Sequence, residues 1–148
     1  MLIRDEAQMR HLGATIIGAC DSGGVIALHG NLGTGKTTLV RGALESLGVS
    51  KGVRSPTYTL IEYYSLDPFS IAHFDLYRLA HAEELEYLGY RDYLNKATLC
   101  FIEWPEHAQD YLSDIGLDIF IDYDVDGRRV KLNAHGDWGN RIIESINL

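Results

Sequence analysis

Positive charge is scarce in this chain: 13 Lys and Arg stand against 21 Asp and Glu, a formal net charge of -8. That balance opposes sequence-independent attraction to nucleic acid, which depends on neutralising phosphates. Arg41, Lys51 and Arg54 are the cations available for a local basic patch, though a few cations around an acidic domain are more often solvated surface. Cysteine is nearly absent. Cys20 and Cys100 lie on separate apolar segments without metal-ligand spacing, so buried reduced thiols are expected rather than a disulfide framework or a metal site. No apolar run approaches the roughly 18 residues of a membrane span, and Met1 to Glu6 carries charges where a signal peptide needs an apolar segment. The expected location is the cytoplasm, with no membrane partner.

Repeats, low-complexity stretches and linkers are also missing. With 148 residues, 46% hydrophobic and 23% charged, the chain has the length and composition of one globular domain over 1–148. A domain of that size buries about 68–70% of its unfolded surface.

Hydrophobic periodicity supplies the elements. Met9, Leu12, Ile16 and Ile17 fall near helical spacing between Glu6 and Cys20, and Asp21-Ser22-Gly23-Gly24 ends that helix. Val25 to His29 predicts a strand, and Thr37 to Leu47 a helix stopped by Gly48. Strands are expected over Tyr58 to Tyr64 and Ile71 to Asp75, with Asp67-Pro68 turning between them, and a helix over Ala82 to Leu88. Thr98 to Glu103 is apolar until its final carboxylate, as in a strand covered on both faces. Asp118 to Tyr123 and Arg128 to Ala134 flank a hairpin turn, and Trp138 to Ile146 predicts a closing helix. The pattern predicts a three-layer α/β domain with a mixed, partly parallel sheet.

Gly30-Asn31-Leu32-Gly33-Thr34-Gly35-Lys36-Thr37 satisfies G-x-x-x-x-G-K-[ST] at every fixed position, between a strand and a helix. Glycines let consecutive N–H groups turn toward an anion, and the helix N-terminus adds partial positive charge. Chance produces such a match on the order of once in a few hundred chains of this length. The nucleotide-binding residues expected are Asn31, Leu32, Gly33, Thr34, Gly35, Lys36, Thr37 and Thr38. Lys36 reaches the β- and γ-phosphates, Thr37 binds Mg²⁺ through its hydroxyl, and Thr38 is placed for the α-phosphate.

Hydrolysis also requires carboxylates beside the phosphates. Asp75 and Glu103 each close a strand; taken singly each is more commonly an ordinary strand-end charge, but the glycine-rich loop beside them favours the functional reading. Ser55-Pro56-Thr57 suits either a turn or a switch segment in which Thr57 senses the γ-phosphate. His29, His73 and His107 lack metal-ligand spacing and receive no chemical role. Asn95-Lys96-Ala97-Thr98 lacks the Asp of a guanine-reading motif, which weighs against GTP, and no arginine-bearing lid of a small-molecule kinase stands out. Open readings are an ATP hydrolase, a nucleotide-gated binding module, and a small-molecule kinase. Arg41, Arg54 and Arg78 are candidate internal arginines for the first.

Gly30 to Thr38, Arg41-Gly42, Ser55 to Thr59, His73 to Leu79, Glu84 to Gly89 and Glu103-Trp104-Pro105, taken together, resemble the TsaE (YjeE) family from about Asp5 to Glu106. The resemblance implies a P-loop ATPase serving threonylcarbamoyladenosine synthesis in tRNA, with ATP and Mg²⁺ as ligands and the TsaB–TsaD complex as protein partner. Contact with tRNA would then be indirect. It further implies Lys36 on phosphate, Thr37 and Glu103 on Mg²⁺, and Asp75 assisting hydrolysis. Thr57 falls in a switch-like loop, and Trp104 in a functional Glu-Trp pair. Where the family often carries Thr near the base, this chain has Met9.

Overall fold

A computed structural model describes residues 1–49 and 59–146; the expected start of a strand at Tyr58, the Thr57 segment, Lys51 and Arg54 lie outside the described residues. Strand β1 (Leu2–Ile3) leads into helix α1 (Glu6–Ala19), and β2 (Gly24–His29) feeds the glycine-rich loop and helix α2 (Lys36–Ser46). Then come β3 (Ile61–Tyr64), β4 (Ser70–Asp75), the short α3 (Glu84–Tyr87), β5 (Thr98–Glu103), the hairpin of β6 (Leu117–Asp124) and β7 (Gly127–Ala134), and α4 (Asp137–Ile146). Short 3₁₀ segments cover Tyr90–Tyr93 and Pro105–Tyr111.

Among the described residues the strands form one sheet in the order β1-β7-β6-β2-β5-β4-β3. The centre, from β6 through β2 and β5 to β4, is parallel, and both margins are antiparallel. Every residue of β5 is buried, as its nearly unbroken apolar run requires. The sheet is covered on both faces. On one, Ile26, Leu28, Leu99 and Phe101 pack with Ile16, Leu39 and Leu44 from α1 and α2. On the other, Ala72, Phe74, Cys100 and Ile102 pack with Leu85 of α3 and with Tyr90 and Ala108 of the 3₁₀ segments. This is the predicted three-layer mixed α/β arrangement.

Local chemistry explains the parts that hold the loop. Asp5 caps α1, its carboxylate accepting from the Gln8 amide at 2.8 Å, while Gln8 Oε1 accepts from the Arg4 amide at 2.7 Å. α1 and α2 approach closely because each contributes a glycine to the crossing. A Cβ on Gly13 would stand 2.0 Å from the Leu39 carbonyl oxygen, and one on Gly42 2.0 Å from that of Arg10. α1 is thereby fixed against the helix that follows the glycine-rich loop.

Two expectations need correction. The helix expected over Ala82 to Leu88 is α-helical only over Glu84–Tyr87; its approach is closed by i→i+3 bonds, Gly89 ends it at φ 73°, and within it only Leu85 is buried. Too little apolar surface is covered to sustain more turns. Cys20 is half-buried rather than buried, although Cys100 is fully so. Burial pushes both thiols up to about 12, with the neighbouring charge of Asp21 adding to the effect at Cys20.

Candidate functional site

The parallel strands bring their carboxyl ends together beside the glycine-rich loop, and the register places Asp75 of β4 directly opposite Glu103 of β5. Leu28 of β2 pairs with Glu103 from the other side, so the loop leaves the sheet next to that carboxylate. Two positions 28 residues apart in sequence become neighbours through strand pairing alone.

The loop is built from its own backbone. The Asn31 carbonyl accepts from the Thr34 amide at 3.3 Å and from the Thr34 hydroxyl at 2.9 Å, closing a tight turn. Gly33 and Gly35 take φ of 78° and 113°, the left-handed region that side chains disfavour. At Gly35 space is limiting too, since a Cβ would sit 3.1 Å from Cε of the buried Met9. Met9 therefore packs beneath the loop, and it lines a cavity of about 230 Å³ with Asp5, Gly35, Thr38 and Arg128.

A second cavity, of about 400 Å³, lies over the start of α2 and is lined by Lys36, Thr37, Thr38, Asp75, Arg78 and Trp104, among others. The Lys36 ammonium donates to the Gly30 carbonyl and lies 3.7 Å from the centre of the Trp104 ring. Burial holds its pKa below the ordinary 10.5, while the charges of Glu103, Glu106 and Asp75 act in the opposite direction. Trp104 itself has φ 59° and ψ 50°, a left-handed conformation just before Pro105. Such a conformation costs about 1–3 kcal/mol and persists where surroundings over-determine it. Here Tyr77 and His107 pack against the indole at centroid distances of 5.0 and 5.7 Å.

Glu103 is the centre of the buried polar network. Only 3% exposed, its carboxylate accepts from the Thr37 hydroxyl at 2.9 and 3.2 Å and contacts His73 Nε2 at 2.5 Å. His73 is wholly buried, and its Nδ1 has no hydrogen-bond partner. With Nε2 donating to the carboxylate, the tautomer protonated there leaves at Nδ1 only an acceptor lone pair without a partner. Asp75 Oδ1 accepts from the Tyr77 amide at 3.1 Å.

Lys36, Thr37, Thr38, Asp75, Glu103 and Trp104 thus converge on one cavity, which Leu32, Gly33 and Gly35 also line. Asn31 and Thr34 shape the loop from within, and the predicted role of Thr57 lies outside the described residues. Of the three arginines considered, Arg78 lines the cavity, Arg41 lies on α2 and is not among the lining residues, and Arg54 is outside the described residues. Sequence reading passed over His73 because its partner lies 30 positions away and the pair carries no ligand spacing. It missed His29 similarly: Asp118 bridges His29 Nε2 at 2.6 Å and His135. Among the described residues no His, Cys, Asp and Glu group of metal-binding geometry occurs, and no helix is long and apolar enough to cross a membrane.

The oxygen donors of Thr37 and Glu103 nevertheless meet at hydrogen-bond distance at the end of the loop, and a hydroxyl beside a carboxylate suits a hard cation such as Mg²⁺.

Known proteins share sequence and fold with this chain. The family described as "Threonylcarbamoyl adenosine biosynthesis protein TsaE" matches residues 3–130. A tRNA threonylcarbamoyladenosine biosynthesis protein TsaE from Haemophilus influenzae is 46% identical over 123 residues, spanning 83% of this chain and 78% of the relative. The Bacillus subtilis protein of the same name is 36% identical over 126 residues, 84% of this chain and 78% of its own. The crystal structure of Bacillus subtilis YdiB shares the fold with a TM-score of 0.79 at 24% identity, covering 99% of this chain and 92% of that one.

Proposed function

Because the chain belongs to the TsaE family of threonylcarbamoyl adenosine biosynthesis proteins, we propose that it is a Mg²⁺-dependent ATPase of tRNA modification, hydrolysing ATP to drive or reset the TsaB–TsaD transferase complex. One observation carries the hydrolytic part of this reading: the Thr37 hydroxyl of the phosphate loop is bonded to the buried Glu103 carboxylate, with Asp75 in register beside it. A loop for binding alone needs no such pair of carboxylates.

In this reading Lys36 leaves the Gly30 carbonyl and the Trp104 face to contact the β- and γ-phosphates, each charge-assisted contact contributing about 1.5–3 kcal/mol. Thr37 and Glu103 would hold Mg²⁺, and the ion would supply neutralisation of charge on the phosphate oxygens. His73 fixes the rotamer of Glu103 from behind, as outer partners of metal ligands do. Asp75 orients the attacking water and accepts its proton. The water oxygen bonds to the γ-phosphorus, the bond from that phosphorus to the bridging oxygen breaks, and ADP and orthophosphate leave.

Slow turnover by the isolated chain is expected, because a supplied arginine raises such rates about 10³–10⁵-fold. The test is ATP hydrolysis with Mg²⁺, alone and with the TsaB–TsaD complex, using Lys36→Ala as the blank. Stimulation by the complex supports a partner-activated ATPase. Intact nucleotide binding without hydrolysis under either condition would replace it with a nucleotide-gated binding module, and phosphate transfer to an acceptor other than water would replace it with a kinase.

A further inference from the structure

The β6–β7 hairpin reaches across to the phosphate loop and holds it from outside. Tyr123 and Arg128 are cross-strand partners at its end, with the guanidinium 4.7 Å from the ring centre. The Tyr123 hydroxyl donates to the Leu32 carbonyl. Arg128 donates through Nη2 to the Gly33 carbonyl at 3.2 Å and through Nε to the Thr34 carbonyl at 3.1 Å. Three consecutive loop carbonyls are therefore tied to two side chains roughly ninety positions away.

In a trans peptide the C=O of one residue and the N–H of the next point in opposite directions. Holding the carbonyls of Leu32, Gly33 and Thr34 outward turns the amides of Gly33, Thr34 and Gly35 toward the inside of the loop. One of the three, that of Thr34, is bonded there to the Asn31 carbonyl. Inward amides are what an anion-binding loop requires, and a loop with glycines at positive φ loses much freedom in presenting them. The hairpin is itself anchored: Gly127 packs so closely on β1 that a Cβ would meet the Ile3 carbonyl oxygen at 2.2 Å, and Arg129 pairs with Asp124 at 2.7 Å.

We infer that Arg128 and Tyr123 are positioning residues for phosphate binding, an external brace that fixes the loop in its anion-accepting form before nucleotide arrives. The inference rests on the nucleotide-binding reading above. It assigns the brace to the phosphates rather than to the base, although Arg128 also borders the smaller cavity at Met9.

The test measures affinity of the full chain for ADP and for inorganic pyrophosphate, together with kcat and KM for ATP, in Arg128→Ala, Arg128→Lys and Tyr123→Phe. Arg128→Ala should weaken both ligands by a similar factor of about tenfold, equivalent to about 1.4 kcal/mol, and raise KM more than it lowers kcat. Arg128→Lys should recover only part of this, because one ammonium does not reproduce a planar fork spanning two carbonyls. Tyr123→Phe, which removes a single hydroxyl from an exposed side chain, should weaken both ligands about threefold and tests the brace even if Arg128→Ala does not fold. Weakened ADP with unchanged pyrophosphate would place Arg128 on the base or ribose and overturn the inference. So would wild-type affinity in the folded variants. A wild-type chain that binds neither ligand would remove the nucleotide reading itself.

Discussion

Two histidine–carboxylate clusters lie near the end of β2, and they differ in what else they touch. Around Glu103 the network is closed: the carboxylate side chain is 4% exposed, His73 is 0% exposed, and the third partner is Thr37 at the start of α2. Around Asp118 it is open: His29 and His135 are 27% and 50% exposed, all three border a cavity of about 600 Å³, and His29 stacks on Phe120 at 4.4 Å. The same pair of functional groups thus supports two different uses. Glu103 joins the proposed phosphate site through its bond to a loop hydroxyl, whereas Asp118 bonds histidines from two chain segments and stitches β2 and β6 to the residue after β7.

The largest expected effect breaks the comparison on function. Glu103→Gln should lower ATP turnover by about a hundredfold, the loss typical when one electrostatic stabiliser of the developing charge is removed, with nucleotide binding still measurable by calorimetry. Asp118→Asn, at the other carboxylate, should leave turnover unchanged. Wild-type hydrolysis in Glu103→Gln would remove that residue from the reaction.

The next effect concerns support. His73→Ala leaves the buried Glu103 carboxylate short of a partner, and loss of a hydrogen bond to a charged group should destabilise the fold by about 1.5–3 kcal/mol in urea unfolding. His73→Gln, whose amide can still donate, should restore part of both stability and turnover. Equal stability and turnover in all three proteins would mean that Thr37 alone orients Glu103. Asp118→Asn should cost only about 1 kcal/mol in the same experiment, because its histidines have access to water.

What could be read from the residues follows from how far apart the interacting groups stand. The phosphate loop is contiguous, so Gly30 to Thr37 gave both the strand–loop–helix unit and the expectation for Lys36 and Thr37. Glu103 and Asp75 were legible as charges ending apolar runs, since parallel strands put such ends on one edge. The partners of those groups were not legible. Arg128 acts 94 and 95 positions away and His73 thirty, and neither distance leaves a pattern in spacing. The two-residue β1 and the 3₁₀ segments are too short to show periodicity, and the α3 expectation overreached because only Leu85 of its apolar residues is fully buried. Family resemblance supplied what spacing could not, marking His73 to Leu79 as one block without stating what His73 touches.

The smallest effect separates the clusters through Lys36. Burial lowers its pKa below 10.5, and the first of the opposing charges is Glu103. Phosphate recognition needs the ammonium, so affinity for ADP should fall as pH rises through the lowered pKa of the free protein, and binding should draw the proton back. Removing the Glu103 charge strips away part of the opposition to burial. The decline in Glu103→Gln should therefore begin at lower pH than in wild type, whereas Asp118→Asn should superimpose on wild type because Asp118 is not among the groups acting on Lys36. Calorimetric titrations that approach pH 10.5 from neutral cover the window. A decline shifted equally by both substitutions would show that Lys36 senses net charge rather than its neighbour, and the distinction between closed and open carboxylates would lose its electrostatic half.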